Sequence, residues 1–593
     1  MMMFNRQEQS EQSNPGRRAV LCVLFLLGFL VVLLRLFDLH ILQAETMTKR
    51  ANRQHHKTIT LDSNRGAILD SQGRALALNL DVPSVYASPV SVKNPRSVAK
   101  RLAKVLEVPR SELEQHLRGN REFVWVKRKI DAEYATQVEA LSLPGISLLK
   151  EKRRFYPKGT LLAHVLGFAG MDSQGLEGLE AGYEQYLQGQ ARKVLLHRDA
   201  FGRVISPENQ QDSSSLSGHT IQLTIDEVIQ YMAEHALESA VEKTRARGGA
   251  IIVMDPRTGG ILAWTLRPTF DPNHFKTLSP DQWRNRAVTD PYEPGSTMKI
   301  VLAAAALEED YVKPETLVYA GHGQMPISGT VIHDHEKASW LTFREAIQQS
   351  SNVAAAKTAL GLGKDRMYRY LREFGFGEKT GIDLPGESVG ILRKPEQWGT
   401  RTLASVAMGQ EIAVTPLQLV TAVSAIANGG SLMTPFIVEH VHTTQGDNVW
   451  SRAPETRRHP IGYRTAKTLT SLLENVVEQG TGREAAIFGY RVAGKTGTAQ
   501  KVDPKTKTYS STKFIGSFVG FAPVEDPRFA MLVVIDEPQV PAWGGAVAAP
   551  VFREVGEQVL RHLKIPPQRS VDVQMAAVGN TGASMIDGAH ALE

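Results

Sequence analysis

The sequence predicts an α+β protein: one N-terminal transmembrane helix, an elongated unit without catalytic residues, and a domain whose antiparallel sheet is flanked and interrupted by helices. Three observations carry this. A charge-free apolar run lies near the N-terminus, at residues 19–34. Two strand-like segments joined by a turn fall at 250–254 and 261–266, and three more follow from Arg491 onward. Between these two groups of strands the pattern is mostly helical. Strands drawn from both ends of a domain, with helices inserted between them, fit an α+β arrangement rather than βαβ alternation.

With its continuation to Leu42, the N-terminal run is long enough for a tilted helix to cross a bilayer. A cleavable signal ends in small residues at alternate positions. Leu42-Gln43-Ala44 supplies one such residue, so an uncleaved anchor over 19–42 is expected, behind a cytoplasmic tail at 1–18. Arg17 and Arg18 precede the run and Lys49, Arg50 and Arg53 follow it, so the flanking charge is nearly balanced. A large domain translocates largely regardless of nearby charge, which favours the N-terminus inside and the rest of the chain outside. Arg35 and Asp38 near the far end either snorkel to the interface or meet a membrane partner. The single cysteine, Cys22, lies in the run, so no internal disulfide is available and stability must come from packing.

At 593 residues with 42% apolar content, the chain is long enough for two full cores. Residues 43–215 carry strand-like and helix-like pieces without catalytic geometry, and the polar run at 209–215 reads as a linker. A second domain is expected at 216–565 and a flexible tail at 566–593. The net charge of +6 is small for this length and the basic residues are scattered, which argues against nucleic-acid binding.

Three motifs recur in order: Ser296-x-x-Lys299, Ser350-x-Asn352 and Lys495-Thr496-Gly497-Thr498. A serine hydroxyl needs a base within reach to act as a nucleophile, and a lysine three positions along a helix shares its face. Ser296 follows Pro294-Gly295 and opens the apolar run 300–307, which places it at the positive end of a buried helix. Thr342-Phe343-Arg344-Glu345 is a capping box that starts a helix ending near Ser350, so Ser350 and Asn352 fall in a turn. Lys495 lies in a strand-like segment. Ser97-x-x-Lys100 and Lys379-Thr380-Gly381 match the first and third patterns without this context.

This ordered set resembles that of the penicillin-binding proteins and serine β-lactamases. Arg65-Gly66, Arg153-Arg154-Phe155-Tyr156-Pro157 and the segment 175–180 resemble the N-terminal motifs of the class B penicillin-binding proteins. Phe270-Asp271-Pro272-Asn273, Met408-Gly409-Gln410 with Thr415-Pro416, and Gly544-Gly545 resemble its transpeptidase domain. The resemblance implies a pedestal domain below a D,D-transpeptidase that joins peptidoglycan stem peptides, is acylated by β-lactams and uses no cofactor. It also implies a multi-spanning membrane glycan polymerase and other divisome proteins as partners. Ser296 is then the nucleophile and Lys299 the first candidate for its base, with neighbouring Lys495 expected to depress the Lys299 pKa by like-charge repulsion. Backbone N–H groups of Ser296 and Thr498 form the oxyanion hole. Lys495, Thr496 and Thr498 hold the substrate carboxylate, and Gly497 keeps the strand edge open. Ser350 relays a proton, and Asn352 holds either Lys299 or the substrate amide.

Glu293-Pro294-Gly295 resembles the cell-division type, penicillin-binding protein 3-like, more than the elongation type. A β-lactamase is disfavoured because no Glu-x-x-Leu-Asn segment is present, and a β-lactam sensor because only about 18 residues precede the anchor. Trp543 stands where tyrosine is commoner in the family, and shapes a pocket or simply packs. His333-Asp334-His335 offers two imidazoles and a carboxylate, but acyl transfer needs no metal, so pocket lining or surface polarity is expected there.

Overall fold

The computed structural model describes residues 15–61, 64–189, 192–198, 204–205, 217–503, 506, 508–539 and 543–567. The sequence linker at 209–215, most of the N-terminal tail and all of the C-terminal tail beyond 567 lie outside them.

Helix α1 (Pro15–Phe37) runs into a π-helical turn at Asp38–Leu42. Together they give an apolar span over Gly16–Leu42 with a mean hydropathy of 3.0, none of it buried against the rest of the chain. That length and composition fit a membrane anchor. Arg35 Nη1 lies 2.7 Å from Asp38 Oδ2, which Gln43 Nε2 also reaches at 2.9 Å. Pairing the two charges lowers the cost of holding them near the end of an apolar span.

The chain divides into two compact units, one of residues 1–62, 82–151 and 191–213, the other of 63–81, 152–190 and 214–593. The division falls inside the long strands Ala75–Ala87 and Ile146–Phe155, where no composition change marks it.

In the first unit, Pro95–Leu106 is a helix capped by Asn94, whose side chain accepts from Ser97 N–H. It buries Val98, Ala99, Leu102 and Leu106, one stripe at helical spacing, against Leu113, Leu117, Val126 and Val138. Ser97 and Lys100 lie on its exposed side, which disposes of this second S-x-x-K.

The second unit is built on a five-stranded antiparallel sheet. Its strands are β1 (Gly248–Met254), β2 (Ile261–Arg267), β3 (Ala493–Val502), β4 (Tyr509–Ala522) and β5 (Phe529–Asp536), in the order β2-β1-β5-β4-β3. Both ends of the domain therefore contribute to one sheet, as expected. Strands β1 and β5 carry apolar residues at successive positions because both of their faces are covered. Ile251 and Val253 pack with α2 (Glu227–Thr244) and with a C-terminal helix at Ala549–His562. Ile252 and Met254 face the other core, which contains α3 (Lys299–Glu308). On that same side lie α4 (Phe343–Gln348), α5 (Asn352–Leu362), α6 (Pro416–Ala427) and α7 (Tyr463–Glu478). Among the described residues strand β3 is an edge strand, so one row of its backbone groups has no strand partner there.

A buried charge cluster ties together the N-terminal segments of this unit. Glu180 is fully buried and accepts from Arg65 Nε at 2.5 Å, Arg154 Nε at 2.6 Å and Tyr156 Oη at 3.1 Å. Tyr156 N–H donates to Asn273 Oδ1 at 3.1 Å and Asn273 Nδ2 returns a bond to Tyr156 O at 3.0 Å. The Arg65, Arg153–Pro157, 175–180 and Phe270–Asn273 motifs of the sequence thus meet in one network.

Candidate active site

Ser296 lies in a 3₁₀ turn, Gly295–Met298, that leads directly into α3. In a 3₁₀ turn residues three apart eclipse one another, so Ser296 and Lys299 are aligned more closely than on an α-helix. Gly295 opens the turn at φ 59° and Thr297 Oγ1 donates to Pro294 O at 2.8 Å. Gly409 braces it: its carbonyl accepts from Gly295 N–H at 3.1 Å, and a Cβ on Gly409 would sit 2.0 Å from Gly295 O. Only glycine permits that approach, at a φ of 78°. The Thr415 capping box on α6 follows shortly after Gly409.

The α4 helix is capped by Thr342 and Glu345 as the sequence predicts. Beyond its end, Ser350 adopts φ 62°, a left-handed conformation costly for a residue with a Cβ. The turn aims three acceptors at one amine. Lys299 Nζ donates to Ser350 O at 2.5 Å, to Asn352 Oδ1 at 2.7 Å and to Ser350 Oγ at 3.2 Å. Asn352 therefore holds Lys299, the first of its two expected roles, and its Nδ2 donates to His333 O at 2.9 Å.

Along β3 the side chains alternate, so Lys495 and Gly497 face the α3 side while Thr496 and Thr498 face the opposite way. Lys495 Nζ donates to Ser350 Oγ at 2.9 Å and to Thr496 O at 3.2 Å. Thr496 Oγ1 lies 2.8 Å from Thr481 Oγ1, and Thr498 Oγ1 accepts from Gly544 N–H at 3.1 Å. Gly497 is required by close packing. A Cβ there would lie 2.4 Å from Ser517 Oγ, 2.9 Å from Thr297 Cγ2 and 3.0 Å from Pro294 O, so its missing side chain lets β3 close on the Ser296 turn. Gly544 has the same function one layer out, where a Cβ would come within 2.1 Å of Gly497 O.

The electrostatics follow from burial. Lys299 and Lys495 are fully buried, whereas Ser296, Ser350, Asn352 and Thr498 are half-exposed at the mouth. Loss of hydration penalises a buried ammonium. Burial brings the Lys299 pKa down to about 7, with the charge of Asp334 acting in the opposite direction. Burial lowers Lys495 well below the ordinary lysine value, and the adjacent Lys299 lowers it further. Desolvation is thus the main cause for both, in place of the repulsion expected for Lys299. A neutral Lys299 has two N–H donors, which the two shortest contacts use, and one lone pair left to receive a proton. The Ser296 hydroxyl has no hydrogen-bond partner among the described residues.

Sequence reasoning passed over Asp334 as part of a metal candidate. Its carboxylate instead accepts from Ser351 Oγ at 2.6 Å, Val353 N–H at 3.0 Å and Asn352 N–H. No local pattern signals this bond, because acceptor and donors are 17 to 19 residues apart. The neighbouring His335 ring lies edge-on to Trp543, with centroids 4.9 Å apart. The alternative K-T-G is a loop, where Thr380 bonds Glu387 and Arg457 bonds the Lys379 carbonyl at 2.7 Å.

Two families match the chain: the penicillin binding protein transpeptidase domain over residues 249–557, and the penicillin-binding protein dimerisation domain over 60–223. Stage V sporulation protein D of Bacillus subtilis (strain 168) is 37% identical over 569 residues, 94% of this chain and 88% of that protein. Peptidoglycan D,D-transpeptidase FtsI of Escherichia coli (strain K12) is 33% identical over 573 residues, 95% of this chain and 94% of that one. Among solved structures, penicillin binding protein 3 of Mycobacterium tuberculosis complexed with aztreonam superposes with a TM-score of 0.68 at 26% identity, covering 86% of this chain and 98% of its own.

Proposed function

Because the chain belongs to the penicillin-binding protein transpeptidase family, we propose that it is a peptidoglycan D,D-transpeptidase that crosslinks stem peptides through an acyl-enzyme on Ser296. The observation that carries this reading is the meeting of two fully buried lysines at Ser350, one turn from the half-exposed Ser296 at the mouth.

Ser296 Oγ attacks the carbonyl carbon between the two terminal D-alanines while its proton passes to neutral Lys299. The oxyanion is held by the backbone N–H groups of Ser296 and Thr498. The C–N bond breaks as the leaving nitrogen takes a proton through Ser350, which both lysines contact, and D-alanine departs. Thr496 and Thr498 on the outer face of β3, with the Lys495 amine behind them, receive the substrate carboxylate. An amine from a second stem peptide then attacks the ester, forms the crosslink and returns the proton to Ser296. β-Lactams acylate the same serine and stay on it.

We place this activity at the division septum, on the Glu293-Pro294-Gly295 sequence and on relatives whose names include FtsI. The anchor holds the N-terminus in the cytoplasm and the catalytic unit outside, beside a multi-spanning glycan polymerase and other divisome proteins. Depletion that yields filaments supports the septal reading; rounded cells would assign the protein to elongation.

The reaction is tested with the full-length protein in detergent, a synthetic stem pentapeptide and a labelled D-amino acid as acceptor. Exchange of the terminal D-alanine is expected to depend on Ser296. Its base must be neutral, so the rate should fall about tenfold per pH unit below about 7 and level off above it. Hydrolysis without exchange would identify a hydrolase instead.

A further inference from the structure

Outside the three motifs, the Asp334 side chain is bonded to the backbone and to one side chain of the central one. Asp334 follows the strand Thr330–His333, and its own N–H is fixed by Gly323 O at 2.9 Å. One carboxylate oxygen takes the first two N–H groups of α5, those of Asn352 and Val353. The other takes the Ser351 hydroxyl at 2.6 Å, while Ser351 Oγ itself accepts from Ala354 N–H at 3.0 Å. All three residues after Ser350 are therefore tied to one carboxylate.

That anchorage has a physical purpose. Ser350 sits in a left-handed conformation that persists only where surrounding bonds over-determine it. The carbonyl and hydroxyl of Ser350 and the amide oxygen of Asn352 converge on Lys299 only while the turn keeps this shape. The charge of Asp334 also acts on the buried Lys299 amine. Other carboxylates near these elements are engaged elsewhere: Glu308 of α3 caps Gly462, Glu474 of α7 binds Arg491, and Glu293 accepts from Tyr509 and Glu411.

We infer that Asp334 is a positioning residue of the acyl-transfer site, clamping the 350–352 turn onto Lys299 and supplying a negative charge that acts on that lysine. The inference rests on the acyl-transfer reading proposed above. Asn at 334 keeps an acceptor for the two backbone N–H groups and removes the charge; Ala removes both.

The test measures acylation of the full-length protein by a fluorescent penicillin from pH 5 to pH 9, for wild type, Asp334→Asn and Asp334→Ala, with thermal melting alongside. For Asp334→Ala the high-pH plateau is expected to fall about 100-fold, the scale of a misplaced catalytic group. For Asp334→Asn the plateau should stay within about threefold, while the acid limb moves to lower pH by about half a unit or more, because Lys299 loses the charge that favours its protonated form. Lys495, His333 and His335 are common to all three proteins, so the difference between profiles belongs to Asp334. Plateau and acid limb unchanged in both variants, or a lowered melting temperature with unchanged kinetics, would overturn the inference. Wild-type labelling that persists in Ser296→Ala would overturn the acyl-transfer reading, and this inference with it.

Discussion

Ser296→Ala should leave the protein folded and remove its acylation. Loss of a serine nucleophile that works as a unit with its base costs roughly 10⁴- to 10⁶-fold in turnover. Ser296 is half-exposed with no hydrogen-bond partner among the described residues, so the missing hydroxyl leaves no buried group unsatisfied. Stability should therefore change by no more than about 0.5 kcal/mol. Lys299 keeps Ser350 and Asn352 as acceptors, and the variant should still bind a β-lactam reversibly. The check is a thermal melt beside a rate of penicillin labelling; substantial residual labelling would mean that another residue is the nucleophile.

The second large effect is on stability. Glu180→Ala removes the carboxylate that both Arg65 and Arg154 contact, in a cluster where all three side chains are almost fully buried. Arg65 keeps a second ion pair, with Glu184 at 2.6 Å, whereas Arg154 is left without a carboxylate partner among the described residues. Breaking a buried pair from one side costs about 3–5 kcal/mol. That is a large share of the roughly 5–15 kcal/mol that separates folded from unfolded domains. The effect also has a pH signature. Burial alone would raise the Glu180 pKa, but Arg154 and Arg65 outweigh it and the folded value lies below 4.5. A carboxylate depressed on folding contributes stability that is full above its unfolded pKa and is lost as pH falls through the folded value. The gap between wild type and Glu180→Ala should thus be constant near neutrality and shrink only below about pH 4. Chemical denaturation at pH 7 and in acid measures it; a neutral-pH loss below about 1 kcal/mol would contradict this account of the cluster.

Much of the site is legible in the sequence because its signals are local. Ser296 and Lys299 are three residues apart, the Thr342 capping box sets where α4 begins, and alternation along β3 separates Lys495 from Thr496. The five strands are also readable, since runs such as 529–535 are apolar at every position and flanked by polar turns. What escaped depends on contacts between distant segments. The reason for Gly497 is visible only once Thr297 and Ser517 stand against it. Asp334 looks like half of a histidine cluster until α5 is placed beside it. Lys299 is depressed mainly by burial, which no spacing reveals. The packing of segments 63–81 and 152–190 into the catalytic unit rests on the Arg65–Glu180–Arg154 network, whose members lie 26 and 115 residues apart.

The central claim is that Ser296 forms a long-lived acyl-enzyme beside a neutral Lys299. It is tested most directly by incubating the full-length protein with a penicillin, digesting it after minutes and after hours, and locating the adduct by mass spectrometry. The account predicts one adduct, on the peptide containing Ser296, at nearly equal occupancy at both times. An adduct on another residue, or one on Ser296 that vanishes within minutes as hydrolysed penicillin accumulates, would contradict it.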